Sequence, residues 1–151
     1  MSKKENFIKV INKGYESKGE NIVLGGALLD GEAISETHVK IPLKTLNRHG
    51  LIAGTTGTGK TKTIQVFSEQ LSNAGIPVLM MDIKGDFSGI AKEGKEEGFI
   101  TERHAKINLP YNVASFPVEL MSLSKQNGVR LRATVSEFGP VLFSRILNLN
   151  D

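Results

Sequence analysis

A chain of 151 residues, 39% apolar and 23% charged with a formal net charge of +3, fits one folded domain that buries roughly 68–70% of its unfolded surface, not a disordered or fibrous polymer. The absence of cysteine excludes disulfides, thiolate metal sites and a cysteine nucleophile, and no run approaches the roughly 20 apolar residues of a membrane-crossing helix. Basic and acidic residues are interspersed, which leaves a DNA partner open; Lys3 and Lys4 lead into no apolar secretion segment, so the cytoplasm is the expected location and no membrane partner is expected.

From the N-terminus, residues 22–29 and 33–43 are apolar-rich and meet at Asp30-Gly31, a hairpin signal. Val39, Ile41 and Leu43 alternate with polar or proline positions, and Pro42 belongs at a sheet edge or a strand end. Residues 1 to about 45 are therefore expected to form a small antiparallel β module, with a second domain beginning near residue 46.

Leu51-Ile52-Ala53 predicts a short strand running into Gly54-Thr55-Thr56-Gly57-Thr58-Gly59-Lys60-Thr61, a complete G-x-x-x-x-G-K-[ST] string. Average residue usage produces that string in on the order of one in two hundred chains of this length, and a strand before it with a helix after it is the setting of a Walker A phosphate loop, or P-loop. Glycines at 54, 57 and 59 let backbone N–H groups close on an anion at the positive end of a helix. Lys60 is expected on the β and γ phosphates of a nucleoside triphosphate, the Thr61 hydroxyl on Mg²⁺, and Lys62 among the binding residues of the same site. A turn rich in glycine that binds nothing does not require the Lys-Thr pair.

The following helix carries Ile64, Phe67, Leu71 and Ala74 at spacings of three and four. It is expected to stop at Gly75 and Pro77. Val78-Leu79-Met80-Met81 is apolar without alternation, as in a strand covered on both faces of a parallel sheet. Residues 50–83 thus read as one βαβ unit with a right-handed crossover. Beyond it, 84–98 reads as a glycine-rich loop with a short polar helix and 118–123 as a strand. Residues 138–149 read as a helix opened by Gly139-Pro140, with Val141, Leu142, Ile146 and Leu149 on its apolar side.

Asp82 ends the second expected strand, where some P-loop enzymes hold Mg²⁺ through water. Asp82 and Asp86 are candidates for that work, and equally for loop acids satisfied beside glycines. No later stretch matches four apolar residues followed by Asp-Glu, the Walker B pattern of motor ATPases. An open sheet and a missing Walker B acid together lead to the expectation that the chain is the N-terminal part of a larger fold. His38, His49 and His104 lack metal-ligand spacing.

Three separated stretches then carry a resemblance: residues 47–54 running into the phosphate loop, 77–89 with Asp82-Ile83-Lys84-Gly85-Asp86-Phe87, and 132–140. In this order they resemble the bacterial HerA-like ATPases of the HerA and FtsK superfamily, from about residue 20 onward. The resemblance implies an α/β, RecA-like P-loop NTPase domain with a parallel sheet, incomplete at the C-terminus and preceded by the small antiparallel β module. It implies ATP and Mg²⁺ as ligands, double-stranded DNA as a partner, a homo-oligomer such as a hexameric ring, and ATP hydrolysis driving DNA translocation. It also puts the strand of Asp82 before the Walker B strand. Read from the residues alone, a small P-loop kinase and a nonenzymatic nucleotide-binding module stay open. Arg130, Arg132 and Arg145 do not form a kinase lid by spacing.

Overall fold

Ser2 opens the first helix, α1 (Lys3–Gly14), with a reciprocal capping box: its hydroxyl accepts from the Glu5 N–H and its own N–H donates to the Glu5 carboxylate at 2.8 Å. The expected β module before residue 45 omits this helix, although Ser2-x-x-Glu5 is a legible start signal. The computed structural model describes residues 1–123 and 127–148, and Leu149 of the expected apolar stripe lies outside them. The chain divides into two compact units, Met1–Phe116 and Pro117–Asp151.

In the first unit, β1 (Asn21–Leu29) and β2 (Glu32–Pro42) pair antiparallel from Asn21 opposite Pro42 to Leu29 opposite Glu32. Asp30 and Gly31, at φ 51° and 87°, make the turn in the left-handed region that hairpins favour. Pro42 closes β2, where its missing N–H breaks no ladder. Ile22 and Ile34 fill the buried side of the hairpin, and fully buried Thr37 is satisfied by donating to the Ile34 carbonyl at 2.9 Å.

The helix after the glycine-rich loop, α2 (Lys60–Asn73), ends as its residues dictate: Gly75 sits at φ 73° and the Ile76 N–H closes on the Leu71 carbonyl at 2.9 Å. Its buried stripe is Gln65, Ser68 and Leu71, so two of three buried positions are polar and Ala74 is exposed. A 3-10 turn over Ser88–Ala91 buries Ile90, and α3 (Gly98–Lys106) follows. The end of α3 rests on the hairpin at Gly26, where an added Cβ would lie 2.6 Å from Ile107 Cγ2. There His38 Nε2 donates to the Ile107 carbonyl at 2.8 Å. His104 packs against Tyr111 with ring centroids 4.9 Å apart.

The two strands expected on either side of α2 are not formed. Residues 51–53 and 78–81 carry no strand pairing, and Leu51, Leu79, Met81 and Ile83 are 83–99% exposed. The physical reason is that an apolar run encodes burial, while a parallel strand also needs a laddered neighbour and cover on both faces. Met80 alone leans inward, its sulfur accepting from the Ser68 hydroxyl at 3.3 Å.

The second unit holds a short parallel pair, β3 (Met121–Ser122) with β4 (Val129–Arg130), inside the stretch expected to form a strand and just beyond it. Gly128 permits this closure: at φ 125° a Cβ would meet the Leu120 carbonyl oxygen at 2.6 Å. Thr134 and Glu137 form a second capping box at the start of α4 (Val135–Ile146). Gly139 at φ 66° kinks that helix just before Pro140, so the turn after it starts on the predicted Gly-Pro pair. The architecture is thus mixed α/β, with a small antiparallel sheet and a short parallel one among the described residues. No helix among them is long and apolar enough to cross a membrane.

Candidate functional site

The glycines of the 54–61 loop are required by its backbone. Gly57 and Gly59 sit at φ 82° and 93°, where a side chain is strained. At Gly54 the constraint is space, since a Cβ would lie 2.5 Å from Thr58 Oγ1. Thr55 gathers the loop around its carbonyl oxygen, which accepts from the Thr58 hydroxyl at 2.8 Å and from the Lys60 ammonium at 2.6 Å. The two bonds fold 55–60 into a tight arch directly before α2. Thr56 is exposed on that arch.

Gly59 is the N-cap of α2 and has no side chain to offer the first turn. Thr63 closes back on the Gly59 carbonyl through its N–H at 2.9 Å and its hydroxyl at 3.1 Å. The N–H groups of Lys60, Thr61 and Lys62 thus begin the helix without a side-chain cap, the arrangement that makes a helix start attractive to anions. Lys60, Thr61 and Lys62 lie together on this turn, and no acidic residue shares it.

Asp82 is placed differently from the loop. Its Oδ1 accepts from the backbone N–H groups of Lys84, Gly85 and Asp86 at 3.2, 2.8 and 3.2 Å, and its Oδ2 from Phe87 N–H at 2.9 Å. These bonds, that of Phe87 foremost and then Gly85, Asp86 and Lys84, hold the carboxyl below its ordinary value against a smaller opposing effect of desolvation. Gly85 at φ 81° allows the chain to turn inside this wrap.

The loop so folded is fastened to α2. Gln65, five residues beyond Lys60 and buried, donates its amide to the Asp86 carbonyl at 3.0 Å. One helix turn and a half further, Gln70 pairs with β1 through both its amide groups: Val23 N–H donates to Oε1 at 2.7 Å and Nε2 donates to the Val23 carbonyl at 2.6 Å. Neither glutamine lies on the Ile64, Phe67, Leu71, Ala74 spacing, and no signal in the sequence marks either of them.

The one glutamate of this helix, Glu69, is half-buried, and desolvation raises its carboxyl above the ordinary value while Lys62 acts the other way. Among the described residues no group of three or more His, Asp or Glu side chains is arranged to hold a metal ion.

The family described as Helicase HerA-like C-terminal matches residues 28–151. The DNA double-strand break repair helicase HerA of Sulfolobus acidocaldarius is 38% identical over 53 residues, a stretch that is 35% of this chain and 11% of that protein. The chain thus matches only a small part of that relative's length. No solved structure matches. With the family match reaching from within the hairpin through the glycine-rich loop and across the rest of the chain, the protein belongs to the HerA-like helicase C-terminal family.

Proposed function

We propose that Gly54 to Lys62 form a P-loop that binds ATP with Mg²⁺, and that the chain is the nucleotide-binding part of a cytoplasmic, RecA-like ATPase. In the whole protein, hydrolysis drives movement along double-stranded DNA, and the subunits form a homo-oligomer, expected to be a hexameric ring. The observation that carries the reading is the start of α2. A helix that begins without a side-chain cap follows an arch whose glycines admit a close anion, with a lysine already inside the arch.

Each residue then has a task. The backbone N–H groups of Gly54, Thr55, Thr56, Gly57, Thr58 and Gly59 surround the phosphates, and Lys60 exchanges the Thr55 carbonyl for phosphate oxygens. Thr61 presents its hydroxyl to Mg²⁺, which supplies charge neutralisation between the phosphates. Lys62 adds positive charge at the rim. Asp82 is assigned to its loop rather than to the metal, because four N–H groups occupy its oxygens. A role on Mg²⁺ through water would have to use Oδ2, which accepts one bond. DNA as the track is supported by the relative named a DNA double-strand break repair helicase.

The test is Mg·ATP binding and turnover by the chain and by its Lys60→Ala variant, with and without duplex DNA. Lys60-dependent binding supports the loop assignment, and DNA-stimulated turnover in the whole protein supports the motor. Phosphate transfer to a nucleoside would select a kinase instead, and unchanged binding by a folded Lys60→Ala variant would remove the assignment.

A further inference from the structure

Two hydrogen-bond systems meet at residue 86. Asp82 collects the N–H groups of 84–87 on one carboxylate, and the Gln65 amide donates to the Asp86 carbonyl. Downstream, the same segment is pinned by buried Ile90, whose carbonyl accepts from the Phe116 N–H at 3.1 Å. Residues 82–87 are thus an ordered loop with one fastening to the core and one to α2.

The position of the α2 fastening matters. Gln65 lies five residues from Lys60, about 7.5 Å along a helix axis, and helical side chains lean toward the N-terminus. Its amide therefore reaches back toward the turn that holds Lys60 and Thr61. The glutamine is buried, and its bond is the described link between that end of α2 and the loop. A helix start that shifts against a phosphate ligand carries the Gln65 amide with it, and the Asp86 carbonyl must follow or lose its partner.

We infer that Asp82 is a positioning residue: it folds 82–87 into a loop that Gln65 docks on the nucleotide-loop helix, so that loop order and nucleotide occupancy are linked. The inference rests on the nucleotide-binding reading above. By reciprocity, whatever order the nucleotide gives the loop, the loop returns as nucleotide affinity. Asp82 touches no phosphate in this scheme and acts only through Gln65.

Amide hydrogen exchange at Gly85 and Phe87, read with and without a non-hydrolysable ATP analogue and Mg²⁺, tests the link. Analogue affinity is measured on the same samples by calorimetry. In the wild-type chain the analogue slows exchange at both amides severalfold. In Gln65→Met, which keeps side-chain length, the analogue still binds but no longer slows them. In Asp82→Asn, exchange is about tenfold faster without ligand and analogue affinity falls about three- to tenfold. Faster exchange in Asp82→Asn with affinity unchanged would make the residue a local loop staple and overturn the link. So would an analogue that slows the two amides equally in wild type and Gln65→Met. No analogue binding by the wild-type chain would instead sink the nucleotide reading itself, and the link with it. Binding lost in Lys60→Ala while the 85 and 87 amides never respond would leave that reading standing and reject the link alone.

Discussion

The carboxamide of Gln70 stands in for a strand beside Val23. It accepts from the Val23 N–H and donates to the Val23 carbonyl, at 2.7 and 2.6 Å, on the edge of β1 that β2 does not cover. An unpaired strand edge is both a cost in unsatisfied backbone groups and a template for association. One side chain of α2 removes both problems at Val23 and fixes the helix to the hairpin.

Gln70→Leu should therefore destabilise the chain by about 1–3 kcal/mol, two hydrogen bonds at roughly 0.5–1.5 kcal/mol each. Denaturant unfolding measures it. Gln70→Glu should cost at least as much, since a carboxylate keeps the Val23 N–H but faces the Val23 carbonyl with a second acceptor. A Leu variant as stable as wild type would show that the pairing contributes nothing net.

At Gly26 the constraint is space. Gly26→Ala places a methyl 2.6 Å from Ile107 Cγ2 and 2.9 Å from Ile107 Cβ, so the end of α3 must move and the His38 bond to the Ile107 carbonyl must lengthen or break. Overpacking of this kind costs about 1–3 kcal/mol. Ile107→Ala in the same chain should recover part of the loss, and thermal melts of the single and double variants measure the recovery. Full additivity of the two losses would contradict the contact.

These two sites show what was legible in the sequence. The hairpin turn at Asp30-Gly31 and the α2 stop at Gly75 were readable because each depends on a local conformation that few residues adopt. Helix α2 and its buried Leu71 were readable from spacing, but the burial of Gln65 and Ser68 was not. Gln65 and Gln70 find their partners 21 and 47 residues away, and nothing in a periodic pattern encodes a distant carbonyl. Leu51 and Val78 to Met81 failed for the opposite reason: their apolarity is real, yet strand formation depends on neighbours that the pattern does not supply. In the loop at 54–61 the glycines at 57 and 59 were legible from their positive φ, whereas Gly54 is held by its close approach to Thr58 Oγ1 instead. At Asp82 two tasks were open, and the structure supplies the four N–H partners of one of them.

The Asp82 loop should respond to acid in a defined direction. Its carboxyl is held below the ordinary value of 3.8 by backbone N–H groups, Phe87 first, so the fold favours the ionised form. That contribution is complete above 3.8 and is lost as pH falls through the depressed value. Protection factors at Gly85 and Phe87 should be flat from neutral pH down toward 3.8 and then decline. In Asp82→Asn the decline should vanish, and a decline of the same size there would place its origin elsewhere.

Glu69 has the opposite sign. Burial raises its carboxyl above 4.5, with Lys62 opposing, so the native state holds the proton more tightly than the unfolded chain. Its contribution to stability is therefore largest in acid and falls as pH rises through the raised value. Glu69→Gln should be at least as stable as wild type at pH 7 and should lose that part of the pH dependence. A variant less stable at pH 7 would mean that the ionised carboxylate has a favourable partner.

Lys60→Ala tests most directly whether the arch from Gly54 to Thr61 holds a nucleoside triphosphate. Calorimetric titration of Mg·ATP into the wild-type and variant chains should show affinity reduced roughly ten- to a hundredfold, the loss of charge-assisted bonds of about 1.5–3 kcal/mol. The melting temperatures of the two chains without ligand should agree, since among the described residues the Lys60 ammonium bonds only the exposed Thr55 carbonyl. Equal affinity in two equally folded chains would contradict the account.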